Sequence, residues 1–274
     1  MYSGTTLTPL SGRVAGAHQK IDRLARSSLS SMLKNNRCFP SAKAILHFEG
    51  VNGPDAIKRK SPAKNEPWHY YAPFDEADNQ LVELISDHYK RLVRALANQD
   101  DVRAAFESAW LAHALVDGLT PAHHYPYEEK LSELRGGEGL ASRTTLKGKI
   151  LMPGKTRRQQ VHNNWKMWGP RGLLTAHGLF EWGIAAILIP VKNTHKRIVL
   201  TDHDLAELHE HNVAELFRRK AKEIAALGMY DRYMKYGWTP QLARQVRRQL
   251  APTIVKMVTL AWYAAALEAG IAKA

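Results

Sequence analysis

Cysteine is nearly missing from this sequence. The single Cys38 excludes an internal disulfide framework and any Cys-based zinc knuckle. A metal held by this chain would therefore rest on His and carboxylate. Strand-like alternation is absent, and with it the signature of a sheet. There is no internal repeat, no Gly-rich phosphate loop and no Gly-x-Ser-x-Gly elbow, which sets aside the common nucleotide-binding and serine-hydrolase patterns. No positively charged start leads into an apolar run, so no secretory signal is expected. The default compartment is then the cytoplasm, unless the chain is trimmed or exported by another route. Acid is scarce against base: 26 Asp and Glu face 39 Lys and Arg, a net charge of +13 over 274 residues. That excess suits a phospholipid surface, a nucleic acid or a phosphorylated substrate. It suits a host of generally basic proteins equally well, because charge alone identifies no partner.

What the sequence does contain is helical periodicity. With 45% hydrophobic and 24% charged residues it has the composition of a soluble globular protein, with enough apolar residues for a large core in one domain. After a Ser/Thr/Gly/Pro-rich lead, His18, Ile21, Leu24, Ala25, Leu29 and Leu33 share one helical face,. Ser41 to Phe48 reads as a short turn or helix. Glu49 to Pro73 reads as a long irregular segment, carrying Asp55 and the aromatic run Trp68-His69-Tyr70-Tyr71. Such segments inside a domain are commonly functional. Its Lys58-Arg59-Lys60 run is a solvated turn or, more sharply, a phosphate contact.

A helix is expected from Asp75 and another over Val102 to Asp117. Glu128 to Leu134 is helical, residues 140–158 form a basic connector or a lid, and Val161 to Trp168 is a further short element. Leu173 to Val191 is apolar enough to raise a membrane span. His177 and Glu181, one turn apart within it, make a buried core helix the better account, because both are costly in lipid. A capped helix should run from Thr201 through His211 to Lys220, followed by a connector over Leu227 to Tyr236. Helices opening at Thr239-Pro240 close the chain and carry a basic face of Arg244, Arg247 and Arg248. His203, His209 and His211 point to different faces and read as surface residues.

The chemistry concentrates in His113-x3-Asp117-x3-Pro121-x-His123. One helical turn puts His113 and Asp117 on the same face, and the break after Gly118 can return His123 towards them. His177-x3-Glu181 repeats the one-turn pair. His18, Asp55 and His69 also sit in apolar or aromatic settings. One buried His is ordinarily structural, satisfied by a carbonyl. Two His-acid pairs and a His after a helix break are harder to explain singly, since each buried polar group needs a partner, and a shared metal cluster supplies one for all.

These residues carry a resemblance. The His113–Asp117–His123 motif resembles the signature of the zinc-dependent phospholipase C family and the related single-strand-specific nucleases. His177 and Glu181 are similar to the second metal pair of the phospholipase branch, where the nucleases usually carry Asp as the acid. Asp55 and His69 resemble the Asp and His preceding that signature, and His18 the first-helix ligand. The likeness runs over roughly residues 15–185. It implies one all-α domain: a metal-site core at about 15–185, helices at 201–274 completing the bundle, and a metal cluster in a cleft between helices.

It further implies two to three zinc ions. Asp55, His69, His113 and Asp117 would hold one, His123, His177 and Glu181 a second, and His18 with a bridging Asp117 a third. The implied activity is phosphodiester hydrolysis, a metal-activated water attacking the phosphorus of a phospholipid headgroup while Asp55 orients or deprotonates it. The family completes its third site with an N-terminal Trp, whereas no Trp stands near this start and seventeen residues precede His18. His124 and the His162 segment are the substitutes within reach. Trp68, Tyr70, Tyr71 and Tyr125 would line the mouth or wall the core. The expected partner is phospholipid, met by peripheral membrane contact without a transmembrane segment. The alternatives are a single-strand nuclease of the same superfamily, which +13 suits, and a non-catalytic helical domain stabilised by its metals.

Overall fold

Residues spaced three and four apart become helices throughout, and the chain is all-α. The computed structural model describes residues 16–50, 52–60, 67–190 and 198–273, without the side chains of 58–60. The N-terminal lead lies outside the described residues, as do the Lys58-Arg59-Lys60 side chains on which the proposed phosphate contact depends; their backbone is the end of a helix. The helices are α1 (Ala17–Leu29), α2 (Ala42–His47), α3 (Pro54–Lys60), α4 (Gln80–Ala97), α5 (Asp101–Gly118), α6 (Tyr127–Leu134) and α7 (Leu146–Ile150). There follow α8 (Arg157–Trp168), α9 (Leu173–Leu188), α10 (Asp202–Glu210), α11 (Val213–Ala226), α12 (Met229–Tyr236), α13 (Pro240–Gln245) and α14 (Ala251–Glu268). A π-turn over Val246–Leu250 joins α13 to α14. Among the described residues, extended backbone pairs only at an isolated bridge between Leu33 and Ala272.

The core is built around α5 and α14. α5 packs against α4, α14, α2 and α1, which is why its apolar residues go nearly all the way round instead of forming a stripe. Trp262 of α14 is fully buried and its indole N–H donates to the Ser108 carbonyl of α5 at 3.1 Å. Gly118 lets α5 end in close contact: a Cβ there would meet Leu81 and Phe217 at 2.6 Å. Pro240–Glu268 is long and apolar enough by composition to cross a bilayer, yet 72% of its apolar window is buried, as in a core helix.

Five local expectations are corrected or sharpened. The helix expected from Asp75 starts at Gln80, because Asp75 and Asp78 hold turns instead, accepting from Ala77 N–H at 2.9 Å and Ala72 N–H at 2.8 Å,. The segment expected to be irregular contains α3, with Pro54 at its first position and Asp55 in its first turn,. The helix expected through His211 is divided: Asn212 accepts from the N–H groups of Ala214 and Glu215, both at 3.0 Å, and caps a new helix,. The connector at 227–236 is mostly α12, with Tyr230 and Tyr233 packed on Phe180 at ring distances of 5.1 Å. The basic stretch 140–158 holds α7 and is stapled to α8, where Asn164 accepts from the Met152 N–H at 3.1 Å and donates to its carbonyl at 2.9 Å.

Candidate metal centre

α1, α5, α9 and the 3₁₀ turn Pro121–His124 bring the predicted residues together. Ligand atoms of His18, His113 and Asp117 lie within 4.8 Å of one another, and so do those of His123, His177 and Glu181. Asp117 stands between the two groups. Its Oδ1 is 3.2 Å from His18 Nε2 and 3.8 Å from His123 Nε2, while its Oδ2 is 3.2 Å from His113 Nε2. In the second group Glu181 Oε1 lies 2.7 Å from His123 Nε2 and 3.0 Å from His177 Nε2. Asp55 approaches from α3, with Oδ1 at 3.8 Å from His113 Nε2. His69 is buried, with its ring 5.3 Å from that of His123. His18, given to a third ion by the resemblance, stacks on His113 at 4.1 Å and so shares a group with two ligands of the first.

The outward nitrogens show how these rings are held. A carbonyl or carboxylate can only accept, so the Nδ1 facing one must carry the proton. His123 Nδ1–H donates to the His69 carbonyl at 2.7 Å, and His69 Nδ1–H to the Pro67 carbonyl at 3.0 Å. His113 Nδ1–H donates to Glu49 Oε1 at 3.0 Å. For His123, a neutral imidazole, this turns the Nε2 lone pair towards the Glu181 carboxylate, while the Nε2 of His113 faces Asp117. At His123 and Glu181 two acceptors stand 2.7 Å apart and repel unless a proton or a metal cation sits between them. That is the outer-shell pattern of metal-binding histidines, and the donor set of imidazole and carboxylate fits zinc.

The charges agree. Burial pushes the His123 imidazole down to about 4, the neighbouring Asp117 opposing it only in part. The Glu181 carboxyl is held well below its usual range despite its burial, and His177 and His123 are among the groups that lower it. Asp117 is likewise held well below its usual range despite burial, with His123 the leading group that lowers it and His113 and His18 adding to it. A neutral His123 beside ionised Asp117 and Glu181 is the state a divalent cation requires, whereas at His113 the Glu49 and Asp117 carboxylates overcome burial and hold the ring well above its usual range.

Glu49 is the residue that sequence reasoning missed. It is fully buried, and its Oε1 lies 3.0 Å from His113 Nδ1 and 3.6 Å from His18 Nδ1. One carboxylate thus holds the His113 ring by a hydrogen bond and faces the His18 ring. Gly53 permits the turn from Glu49 into α3, since a Cβ there would stand 2.2 Å from the Glu49 carbonyl oxygen. Burial and the adjacent Glu49 push the Asp22 carboxyl well above its usual range. Tyr127 was missed as well: it stacks on Tyr70 at 5.2 Å and meets the His177 ring at 5.4 Å, walling the second group.

Other candidates fall away from the site. His124 turns its Nε2 to the Gly118 carbonyl at 2.8 Å, and His162 is exposed on α8. Tyr71 is core, packed on Phe217 at 5.1 Å, and Tyr125 packs on Tyr230 at 5.6 Å. Trp68 and Tyr70 do stay beside the cluster, and Trp68 lines a cavity of about 10 Å³ with His69 and His113. A third group, His203, Asp204 and Glu207, also has ligand atoms within 4.8 Å. Its carboxylates are already engaged, Asp204 by Lys256 at 2.8 Å and Glu207 by Arg219 at 2.9 Å. The chain matches no protein-family model, no curated protein and no solved structure.

Proposed function

We propose that this chain is a zinc-dependent phosphodiester hydrolase, similar to the phospholipases C, acting on phospholipid headgroups. The observation that carries the reading is the convergence of His18, His113 and Asp117 with His123, His177 and Glu181 around one shared carboxylate. Zinc held by these residues, with Asp55 and His69, would lower the pKa of a bound water and supply positive charge for phosphate oxygens. The chain's own part is positioning, which dominates phosphoryl transfer. Asp117 fixes the spacing of the two groups. Asp55 is 19% exposed at its side chain where Asp117 is 1% exposed, so it is the carboxylate on the open side that orients the attacking water and accepts its proton. Tyr70 and Tyr127 shield the second group from solvent, which strengthens its electrostatics.

Metal analysis of the purified protein should return at least two zinc ions per chain, and fewer than two would overturn the catalytic reading. The zinc-loaded protein should then hydrolyse phosphatidylcholine, with His113→Ala inactive. Preference for single-stranded DNA would move the reading to the nuclease branch, and undiminished activity of the variant would show the site to be elsewhere.

A further inference from the structure

Residues 139–180 contain eight Lys and Arg and not one Asp or Glu. The span covers α7 and α8, and Lys147, Lys155, Arg157, Arg158, Lys166 and Arg171 are all exposed in it. The same surface is apolar in the wrong place for a soluble helix. Val161, Trp165 and Trp168 follow helical spacing on α8 and are 71%, 66% and 44% exposed. Leu146 and Ile150 of α7, and Leu151 just after it, are exposed as well. The Trp168 indole N–H donates to the Ile150 carbonyl at 2.9 Å, which joins the two helices into one face.

The inner side of α8 points the other way. Met167 and Met152 are buried against Tyr127, whose ring meets His177 of the candidate metal centre at 5.4 Å. One helix therefore has an exposed Trp-and-cation surface on one side and the wall of the site on the other. We propose that α7 and α8 form a docking face for an anionic phospholipid bilayer. Tryptophans take the interfacial level, aliphatic side chains enter the acyl boundary, and the cations meet the headgroups. The aliphatic members select lipid over single-stranded nucleic acid, which would use stacking rings and cations alone. The unbroken positive charge also disfavours a second copy of the same face, which would repel itself.

The proposal rests on the phospholipid reading for its substrate class, but binding is measured without turnover. Zinc-loaded protein is sedimented with vesicles of phosphatidylcholine alone and of phosphatidylcholine mixed with phosphatidylglycerol. It should partition onto the anionic vesicles, with Trp fluorescence shifted to the blue. Trp165→Ala with Trp168→Ala should weaken partitioning about tenfold, and Lys147→Gln or Lys166→Gln about fivefold each. Circular dichroism would confirm that these exposed substitutions leave the helices intact. No partitioning by the parent, or equal partitioning by the double variant, overturns the docking face. So does oligothymidine binding lost in the same variants, or a dimer that the double variant dissociates. Hydrolysis of monomeric short-chain phosphatidylcholine is followed separately: its absence counts against the hydrolase and leaves the vesicle result standing.

Discussion

His113 and His123 come from one short stretch of sequence and face the same carboxylate, yet their imidazoles are driven in opposite directions. Burial would lower both. At His113 the Glu49 and Asp117 carboxylates reverse it and hold the ring well above its usual range. At His123 burial wins and the ring falls to about 4. The difference lies in what each Nδ1–H meets: a buried carboxylate for His113, and the neutral His69 carbonyl for His123. The two halves of the centre thus share residue types and differ in the shell behind them. A carboxylate behind the ring strengthens it as a ligand but loads it with a proton when metal is absent; a carbonyl orients the ring and leaves it neutral.

The comparison is broken most severely at the residue both halves share. Asp117→Asn should drop bound zinc below one ion per chain and reduce hydrolysis by about a thousandfold, read by metal analysis and phosphatidylcholine turnover. Glu49→Gln should separate the halves. Metal affinity at the His18–His113–Asp117 group should fall about 10- to 100-fold, while the His123–His177–Glu181 group keeps its ion under a competing chelator. Loss of both ions together would mean that the halves are not independent.

A milder test uses pH. In the metal-free protein His113 must lose a proton before its Nε2 can bind, so affinity at that half should fall by about tenfold per pH unit below its raised pKa. The His123 ring, which falls to about 4, has no such proton to lose near neutral pH, so it adds nothing to the pH slope of the second half there,. Zinc titration calorimetry in buffers of different ionisation enthalpy reads the proton released, and equal pH slopes at the two halves would contradict the assignment. The smallest effect is expected at the third His–acid group. His203→Ala should leave zinc content unchanged and stability within about 0.5 kcal/mol, because Asp204 and Glu207 already pair with Lys256 and Arg219.

The all-α class and most helices were legible because helical periodicity is a local signal. The errors fell where a short polar side chain outbid it. Asp75, Asp78 and Asn212 capture backbone N–H groups and decide where α4 and α11 begin. The candidate ligands were legible for a related reason: His113–Asp117 and His177–Glu181 are one turn apart and face one way by helix geometry alone. Glu49 was not. It stands among unpatterned residues, and its partner His113 is 64 positions away.

Sequence by itself determined the helices, the two His–acid pairs and the residue types a zinc ion would need, because spacing along a helix dictates direction. Only the tertiary structure decided that Asp117 lies between the two groups, that His18 joins the first, and that Glu49 stands behind two rings. It also decided that the third His–acid group is occupied by neighbouring cations. Those are contacts between helices distant in sequence, and the free energy that sets them comes from packing and burial of the whole chain, for which no local period exists.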